Sequence, residues 1–168
     1  MHRDKIFDLL IHVQNGTIDA ADAFESLKDL PFEDLEHTKI DHHRSLRKGI
    51  QEIVYGEGKT LDQLLSIIKA VTSHGQDVLV TRVDQGEKGS GLVSAFPEGT
   101  YDALSRCFTI KTDMTIRGKG TILIISAGTS DSAVAEEAFV TSTFLGNITE
   151  KLYDVGVAGI HRIVHNLD

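Results

Sequence analysis

The sequence predicts an α/β fold in which a helical hairpin and a small α/β domain precede the first part of a parallel-sheet domain. Two patterns support this class. The run TILIIS from Thr121 is continuously apolar, as in strands that a parallel sheet buries on both faces, and an Ala- and Glu-rich helix follows it. Upstream, residues 50–83 follow a strand, helix, strand order that indicates a βαβ unit. We therefore place the hairpin at residues 1–35, the α/β domain at 36–117 and the incomplete sheet domain at 118–168.

Composition and charge exclude several classes of protein. The 168 residues are 40% hydrophobic and 25% charged, as in soluble globular proteins. A formal net charge of -8 opposes non-specific binding to nucleic acid or to an anionic membrane. The opening MHRDKIFDLL carries charges where a secretory signal is apolar, and no window is apolar enough to span a membrane, so we expect a cytoplasmic protein. The single Cys107 excludes an internal disulfide and fits a reducing compartment.

Helical spacing defines the N-terminal hairpin. The first helix should begin near Arg3 and end at Asn15-Gly16, in the manner of a C-terminal cap. Thr17 is the predicted N-cap of a second helix that continues to Leu27. The apolar face predicted for that helix comprises Ala21, Phe24 and Leu27. A hairpin of this size cannot form a core alone, so it should dock on the rest of the chain or on another subunit.

The α/β domain contains the clearest helix of the chain. Thr60 should cap it, Gly75 should end it, and its predicted buried stripe comprises Leu61, Leu64, Leu65, Ile68 and Val71. A strand from Asp77 to Val83 follows. The glycine-rich region 84–99 is interpreted as turns around a short extended piece, LVSAF, with GEKGSG as a mobile turn. Residues 106–111 alternate as in a half-exposed strand, where Cys107 should be a small buried thiol rather than a nucleophile.

The last segment repeats a strand, helix, strand order. After TILIIS we expect a helix from Ser132 to Leu145 that Gly146 ends, then a strand over residues 147–155 and a helix from near His161. Two strands and one full helix leave a sheet with an unpaired edge and uncovered apolar faces. The sequence is therefore expected to be truncated at its C-terminus.

The loop SAGTSD follows the first of these strands, at the sheet edge where open α/β folds bind ligands. Gly128 allows close backbone approach, Thr129 and Ser130 carry hydroxyls, and a helix N-terminus favours an anion, so the expected ligand is a phosphate. Asp131 would then cap the helix, bind ribose hydroxyls or transfer a proton. An ordinary turn with an Asp or Ser cap is an equally open interpretation.

The loop GVAGIHR should lie beside SAGTSD if the two strands pair, which would bring His161 and Arg162 near Asp131. Imidazole titrates near neutral pH and could transfer a proton, while Arg can pair with a carboxylate or phosphate. The alternative is a histidine that only caps a helix or lies on the surface. GEGKT is not a phosphate-binding P-loop, because Ile53 stands where that motif needs its first Gly.

Five separated segments resemble the LarB family, the pyridinium-3,5-biscarboxylic acid mononucleotide synthases of nickel-pincer nucleotide biosynthesis. They are IDHHRSLRKGIQEIVYGEGKT, LVTR, SAGTSD, AEEA and YDVGVAGIHR, and the similarity extends from about Ile40 to the C-terminus. The part from Thr121 also resembles the catalytic domain of PurE, the aminoimidazole ribonucleotide carboxylase or mutase. That resemblance implies a flavodoxin-like, three-layer parallel-sheet domain.

The PurE motifs imply roles for the two loops. Gly128, Thr129, Ser130 and Asp131 would bind the nucleotide phosphate and ribose, and the loop of His161 and Arg162 would supply a proton-handling histidine. Gly159-Ile160 stands where PurE has Ser-Ala, a departure that counts against the purine substrate.

The LarB resemblance implies carboxylation of nicotinic acid adenine dinucleotide at C5 of its pyridinium ring, with cleavage of the phosphoanhydride to release AMP. In that family a Cys thiolate adds to the ring so that it can attack carbon dioxide. Cys107 does not match the context of that cysteine. The implied partners are the dinucleotide, carbon dioxide or bicarbonate, and further copies of the chain, an octamer by resemblance to PurE. No tightly bound cofactor is expected, and magnesium dependence stays open.

Two other functions stay open: an aminoimidazole ribonucleotide carboxylase, and a non-catalytic nucleotide-binding or assembly fragment. Five polar residues in the best-matching segments are expected to contact the dinucleotide or its carboxylates: Asp41, His43, Arg44, Lys59 and Arg82. The alternative for these five is a surface of ion pairs that holds the two domains together.

Overall fold

The computed structural model describes residues 3–27, 33–34, 38–41, 44, 50–159 and 161, and it confirms the predicted α/β class. The helices are α1 (Arg3–Gln14), α2 (Ala20–Leu27), α3 (Leu61–Ser73), α4 (Glu87–Ala95) and α5 (Ser132–Phe144). The strands are β1 (Glu33–Asp34), β2 (Lys39–Ile40), β3 (Ile53–Tyr55), β4 (Val78–Thr81), β5 (Thr100–Asp102), β6 (Cys107–Ile110), β7 (Thr121–Ile125) and β8 (Ile148–Leu152). Among the described residues, no helix has the length and apolar character needed to cross a membrane.

The chain divides into two compact units. One comprises Met1–Ile53 and Asp62–Val78, and the other comprises Val54–Leu61 and Leu79–Asp168. The domain boundaries that the sequence suggests near residues 35 and 117 stay predictions.

The first unit contains the predicted hairpin of α1 and α2, with one correction at its turn. Thr17 does not cap α2, because its hydroxyl donates to the carbonyl oxygen of His12 at 3.0 Å. The cap is Asp19, whose Oδ1 accepts the N–H of Asp22 at 2.8 Å. Asp19 lies two residues after Thr17, and its carboxylate satisfies the N–H of the third helical residue, so α2 begins at Ala20.

The apolar face predicted for α2 is only partly buried. Ala21 is exposed, Phe24 is 69% exposed and Leu27 is half-buried, whereas Ala23 is 7% exposed. Phe7 of α1 is also 64% exposed. The hairpin therefore keeps large aromatic side chains in contact with solvent.

Helix α3 agrees closely with its sequence pattern. Leu64, Ile68 and Val71 are buried as predicted, and Leu61 and Leu65 are half-buried. Two further residues, Ile67 and Ala70, complete the buried face. Gly75 ends the region with a φ of 64°, which is left-handed and suits glycine at a helix C-terminus.

The second unit includes most of a four-stranded sheet with the order β3-β4-β6-β5. Gly56, directly after β3, donates its N–H to Thr81 at the end of β4 at 2.7 Å, so these strands end at the same edge, as in the predicted βαβ unit. A Cβ on Gly56 would lie 2.8 Å from that same Thr81 oxygen, so the approach requires glycine. Strands β5 and β6 pair antiparallel, with Tyr101 opposite Phe108.

The glycine-rich region is a helix, and its predicted interpretation as turns with an extended LVSAF was wrong. Residues 87–95 form α4, which contacts β5 and buries Leu92 completely. A Cβ on Gly89 would lie 2.6 Å from Cε1 of Tyr101, so the missing side chain lets the helix approach β5. Tertiary packing here outweighs the low helix propensity of glycine.

The strands β7 and β8 pair in parallel, from Thr121 opposite Ile148 to Ile125 opposite Leu152, and α5 packs on both. This confirms the predicted order and the end of α5 near Gly146. The predicted burial of β7 on both faces was wrong, since Ile125 is 60% exposed. The reason is that β7 and β8 form a two-stranded sheet whose apolar faces the described residues only partly cover. The predicted helix from His161 lies outside the described residues beyond His161 itself.

Candidate functional site

The two candidate loops meet at the carboxyl edge of the β7 and β8 pair. The N–H of Ser126 donates to the carbonyl oxygen of Leu152 at 3.1 Å, and Val155 donates back to Ser126 at 3.1 Å. Gly156 then donates to Ala127 at 2.8 Å. These three bonds extend the parallel pairing beyond both strands and confirm that SAGTSD and the loop after β8 lie side by side.

Asp131 closes the first loop on itself. Its Oδ2 accepts the N–H of Gly128 at 3.1 Å, and its own N–H donates to the Gly128 carbonyl oxygen at 3.0 Å. Thr129–Asp131 forms a single 3-10 turn between these bonds, directly before α5. Thr129, Ser130 and Asp131 are exposed, so two hydroxyls and one carboxylate are open to solvent at this edge.

Ser126 precedes this turn in the chain, and its hydroxyl is buried. The residue is 6% exposed, and its Oγ has no hydrogen-bond partner among the described residues. A buried polar atom without a partner costs free energy, because folding removes its bonds to water and returns none. No sequence signal distinguishes this serine from the others in the loop.

The second loop approaches the first because it contains glycine. A Cβ on Gly156 would lie 2.8 Å from the carbonyl oxygen of Ala127. Asp154, two residues earlier, has a left-handed φ of 59°. His161 is exposed, and Arg162 lies outside the described residues. The expected proximity of these two residues to Asp131 stays a prediction.

A second polar cluster lies at the carboxyl edge of β3 and β4. Arg82 forms an ion pair through Nε with Glu137 of α5, and the hydroxyl of Tyr55 donates to the carboxylate of Glu57. Lys59 is half-buried, and its N–H closes a turn on the Gly56 carbonyl oxygen at 3.1 Å. The sequence left two roles open for Arg82, ligand binding and an ion pair, and Glu137 is the partner that the second role requires.

The remaining candidates belong to the first unit. The N–H of Asp41 donates to Oε2 of Glu52 at 2.7 Å. Arg44 is exposed, and His43 lies outside the described residues. Ligand binding by these residues stays a prediction.

Residues 32–113 match the family model of the LarB/PurE-like N-terminal domain. Residues 32–113, here called the LarB-type domain, are thus similar to this family's N-terminal domain. It is also 33% identical over 162 residues to an uncharacterized protein of Methanocaldococcus jannaschii, an alignment that covers 93% of this chain. The chain spans 63% of the length of that curated relative.

The LarB-type domain includes every residue of the second polar cluster except Glu137, and it does not include the two loops. Lys59 and Arg82 lie within the matched residues 32–113, as do Asp41, His43 and Arg44. The loops at residues 126–131 and 153–161 follow that region. Arg82 is thus a residue of the LarB-type domain whose ion-pair partner, Glu137, belongs to the segment after it.

Cys107 of the LarB-type domain is buried, as predicted, with 1% exposure. Burial raises the pKa of its thiol to about 11. A thiol with this pKa is almost entirely protonated at neutral pH and is a poor nucleophile. The structure therefore supports the prediction that Cys107 is a packing residue.

The sequence interpretation did not identify Glu136 as a structural centre. It is 8% exposed on α5 and accepts from Lys151 Nζ at 2.6 Å and from the hydroxyl of Tyr153 at 3.1 Å. Burial, followed by this bond to Glu136, raises the pKa of Tyr153 to about 12. The available signal was that two adjacent glutamates, Glu136 and Glu137, are the only charged residues of α5. The described residues contain no group of three or more potential ligands able to hold a metal ion.

Proposed function

We propose that the protein acts in the carboxylation of nicotinic acid adenine dinucleotide at C5 of the pyridinium ring, with hydrolysis of the phosphoanhydride to release AMP. The product would be pyridinium-3,5-biscarboxylic acid mononucleotide. The observation that carries the proposal is the LarB/PurE-like N-terminal domain over residues 32–113, which points to chemistry of the carboxylase or mutase type.

The loop at Gly128 would bind the nucleotide in this proposal. Its turn lies at the carboxyl end of a parallel strand and directly before α5, where a helix N-terminus favours a phosphate. The exposed hydroxyls of Thr129 and Ser130 can donate to phosphate or ribose oxygens. Asp131 orders the turn through Gly128 and has exposed carboxylate surface for a ribose hydroxyl.

The proton step is assigned to His161. Its side chain is exposed and follows the loop after β8, and histidine is the side chain that most often acts as a general acid or base. Arg162 would pair with an anionic group of the same ligand. Carboxylation of the ring releases the proton from C5, and a base near that atom must accept it.

An electron-poor pyridinium ring does not attack carbon dioxide until a nucleophile adds to it. Cys107 is the one cysteine of these 168 residues, and its burial and raised pKa remove it as the source of a thiolate. The proposal therefore gives these residues nucleotide binding and proton transfer, and it takes the thiolate from outside them.

The test offers labelled bicarbonate to the protein expressed from its natural reading frame, with nicotinic acid adenine dinucleotide and aminoimidazole ribonucleotide in separate reactions. Label in a dicarboxylated pyridinium mononucleotide, together with free AMP, supports the proposal. Label in carboxyaminoimidazole ribonucleotide alone would replace it with the purine enzyme. No label from either substrate would leave nucleotide binding as the function to measure.

A His161→Asn variant tests the proton step in the same assay. We expect turnover to fall by about 10²–10⁴-fold, the usual contribution of a general acid or base, with an unchanged circular dichroism spectrum. Unchanged turnover would remove His161 from the mechanism. Repeating the wild-type reaction with a chelator decides whether magnesium is needed.

We also propose that the protein is a homo-oligomer. The exposed apolar side chains of β7 support this, among them Ile122 at 41%, Leu123 at 47% and Ile125 at 60%. Light scattering after size-exclusion chromatography measures the mass directly, and a monomer at all concentrations would contradict the proposal.

A further inference from the structure

Arg82 has a backbone conformation that its side chain does not favour. The residue directly follows β4 and has a φ of 55°. This is the left-handed region, which residues other than glycine, Asn and Asp rarely adopt. Such conformations persist where the surroundings determine them, and they are frequent at ligand sites. The conformation raises the question of what the guanidinium does.

Only one of the three guanidinium nitrogens is used within the described chain. Nε pairs with Glu137, while Nη1 and Nη2 have no hydrogen-bond partner among the described residues. The Arg82 side chain is 37% exposed and that of Glu137 is 21% exposed. The partly buried carboxylate of Glu137 thus fixes the guanidinium through Nε, and the two terminal nitrogens remain available to a ligand.

A second carboxylate lies close by but does not take these nitrogens. Glu57 accepts a hydrogen bond from the hydroxyl of Tyr55, and its influence on Arg82 is through charge alone. The hydrogen bond and charge of Glu137 raise the pKa of Arg82, so the guanidinium remains charged. Tyr55 therefore engages Glu57 while Glu137 orients Arg82.

We propose that Glu137 is a positioning residue that holds Arg82 so that its two terminal nitrogens bind one anionic oxygen group of the ligand, a carboxylate or a phosphate. The proposal rests on the proposed function for the identity of that ligand. Planar two-pronged recognition needs a fixed guanidinium orientation, which the bond to Nε supplies. The simpler alternative is an ion pair that only ties the end of β4 to α5.

The experiment follows the arginine side-chain signals by NMR in the protein labelled with ¹⁵N-arginine, with Arg82 assigned by its loss in Arg82→Lys. We expect a slowly exchanging Arg82 Nε–H signal in the wild type that exchanges at least about tenfold faster in Glu137→Ala. Glu136→Gln is the matched control, since it removes the same charge from the neighbouring position and breaks an ion pair that does not involve Arg82. Equal exchange in all three proteins would overturn the positioning role.

Ligand binding is measured with nicotinic acid adenine dinucleotide and with its amide counterpart, which lacks the ring carboxylate. We expect the acid to shift the Arg82 terminal signals, and Glu137→Gln to weaken its affinity about tenfold while Glu136→Gln does not. A loss confined to the acid assigns the carboxylate, and an equal loss for both ligands assigns a phosphate. Restored affinity in Glu137→Asp would support orientation by charge.

Failure of this inference and failure of the proposed function give different results. If the dinucleotide shifts other signals but leaves Arg82 unchanged, the positioning proposal is overturned and nucleotide binding stands. If neither dinucleotide binds, the proposed function fails, and titration with inorganic pyrophosphate and with nicotinate decides the inference. Movement of the Arg82 terminal signals by either anion supports it, and no movement overturns it.

Discussion

Replacing Ser126 by alanine should stabilise the protein. Ser126 is 6% exposed, its main chain is fully engaged with Leu152 and Val155, and its Oγ has no hydrogen-bond partner among the described residues. Alanine keeps the backbone bonds and the Cβ, and it removes only the buried oxygen. The substitution therefore isolates the free energy of one unpaired hydroxyl.

The expected magnitude follows from that accounting. A buried polar group without a partner lowers the free energy of unfolding by about 1–3 kcal/mol. Removing the oxygen recovers this amount, but the void that it leaves loses packing contacts and so cancels part of the gain. We expect a net gain of about 1 kcal/mol in the free energy of unfolding. For a chain of 168 residues this corresponds to a rise in Tm of about 2–4 °C.

Thermal and urea unfolding, followed by circular dichroism, measure the change. Ser105→Ala is the matched control, because Ser105 is 2% exposed and its Oγ accepts the N–H of Cys107 at 3.3 Å. That substitution removes a hydrogen bond within the core and should lower the free energy of unfolding by about 0.5–1.5 kcal/mol. Ser130→Ala, at an exposed position, should lie within about 0.5 kcal/mol of the wild type.

Destabilisation by Ser126→Ala as large as that by Ser105→Ala would refute an unpaired hydroxyl at Ser126. Such a result would mean that the Ser126 hydroxyl is hydrogen-bonded in solution. A change near zero would mean that the lost packing contacts equal the desolvation cost.

Three further outcomes test the packing of the second unit. Gly56→Ala should lower the free energy of unfolding, measured in urea, by about 1–3 kcal/mol, because its Cβ would lie 2.8 Å from the Thr81 carbonyl oxygen. Gly120→Ala is the control and should leave the free energy of unfolding unchanged, because its Cβ would enter open space. Gly89→Ala should also destabilise, although alanine is the better helix former by about 1 kcal/mol, because the new methyl would lie 2.6 Å from a tyrosine ring. Cys107 should resist alkylation at pH 8 until urea unfolds the protein, and rapid alkylation of the folded protein would contradict its burial. Because folding raises the pKa of the thiol from 9.0 to about 11, the free energy of unfolding should fall as the pH rises through that interval.

Features set by local sequence were predictable. The stripe of α3 and its end at Gly75 follow from apolar spacing and from a glycine with left-handed φ. The order of β7, α5 and β8 follows from an apolar run, a helix former and a second strand signal within 32 residues of chain, Thr121 to Leu152. The adjacency of the two loops then follows from parallel pairing.

Features set by distant partners were not predictable. The glycine-rich segment 87–95 is helical because Gly89 lets it approach Tyr101 of β5, a contact that helix propensity does not predict. Asp19 rather than Thr17 caps α2, since two capping residue types competed within three positions. The exposure of β7 depends on how many strands pair beside it, and its own apolar run contains no information about that number.

The sequence by itself determined the α/β class, the main helices and strands, and the positions of both candidate loops, because hydrophobic period and turn residues act over a few neighbours. Tertiary structure decided which polar residues meet. Arg82 and Glu137 are 55 residues apart in the chain, and no periodicity relates them. Their pairing arises because the end of β4 and the middle of α5 come together in the second unit, and that contact leaves the terminal nitrogens of Arg82 available.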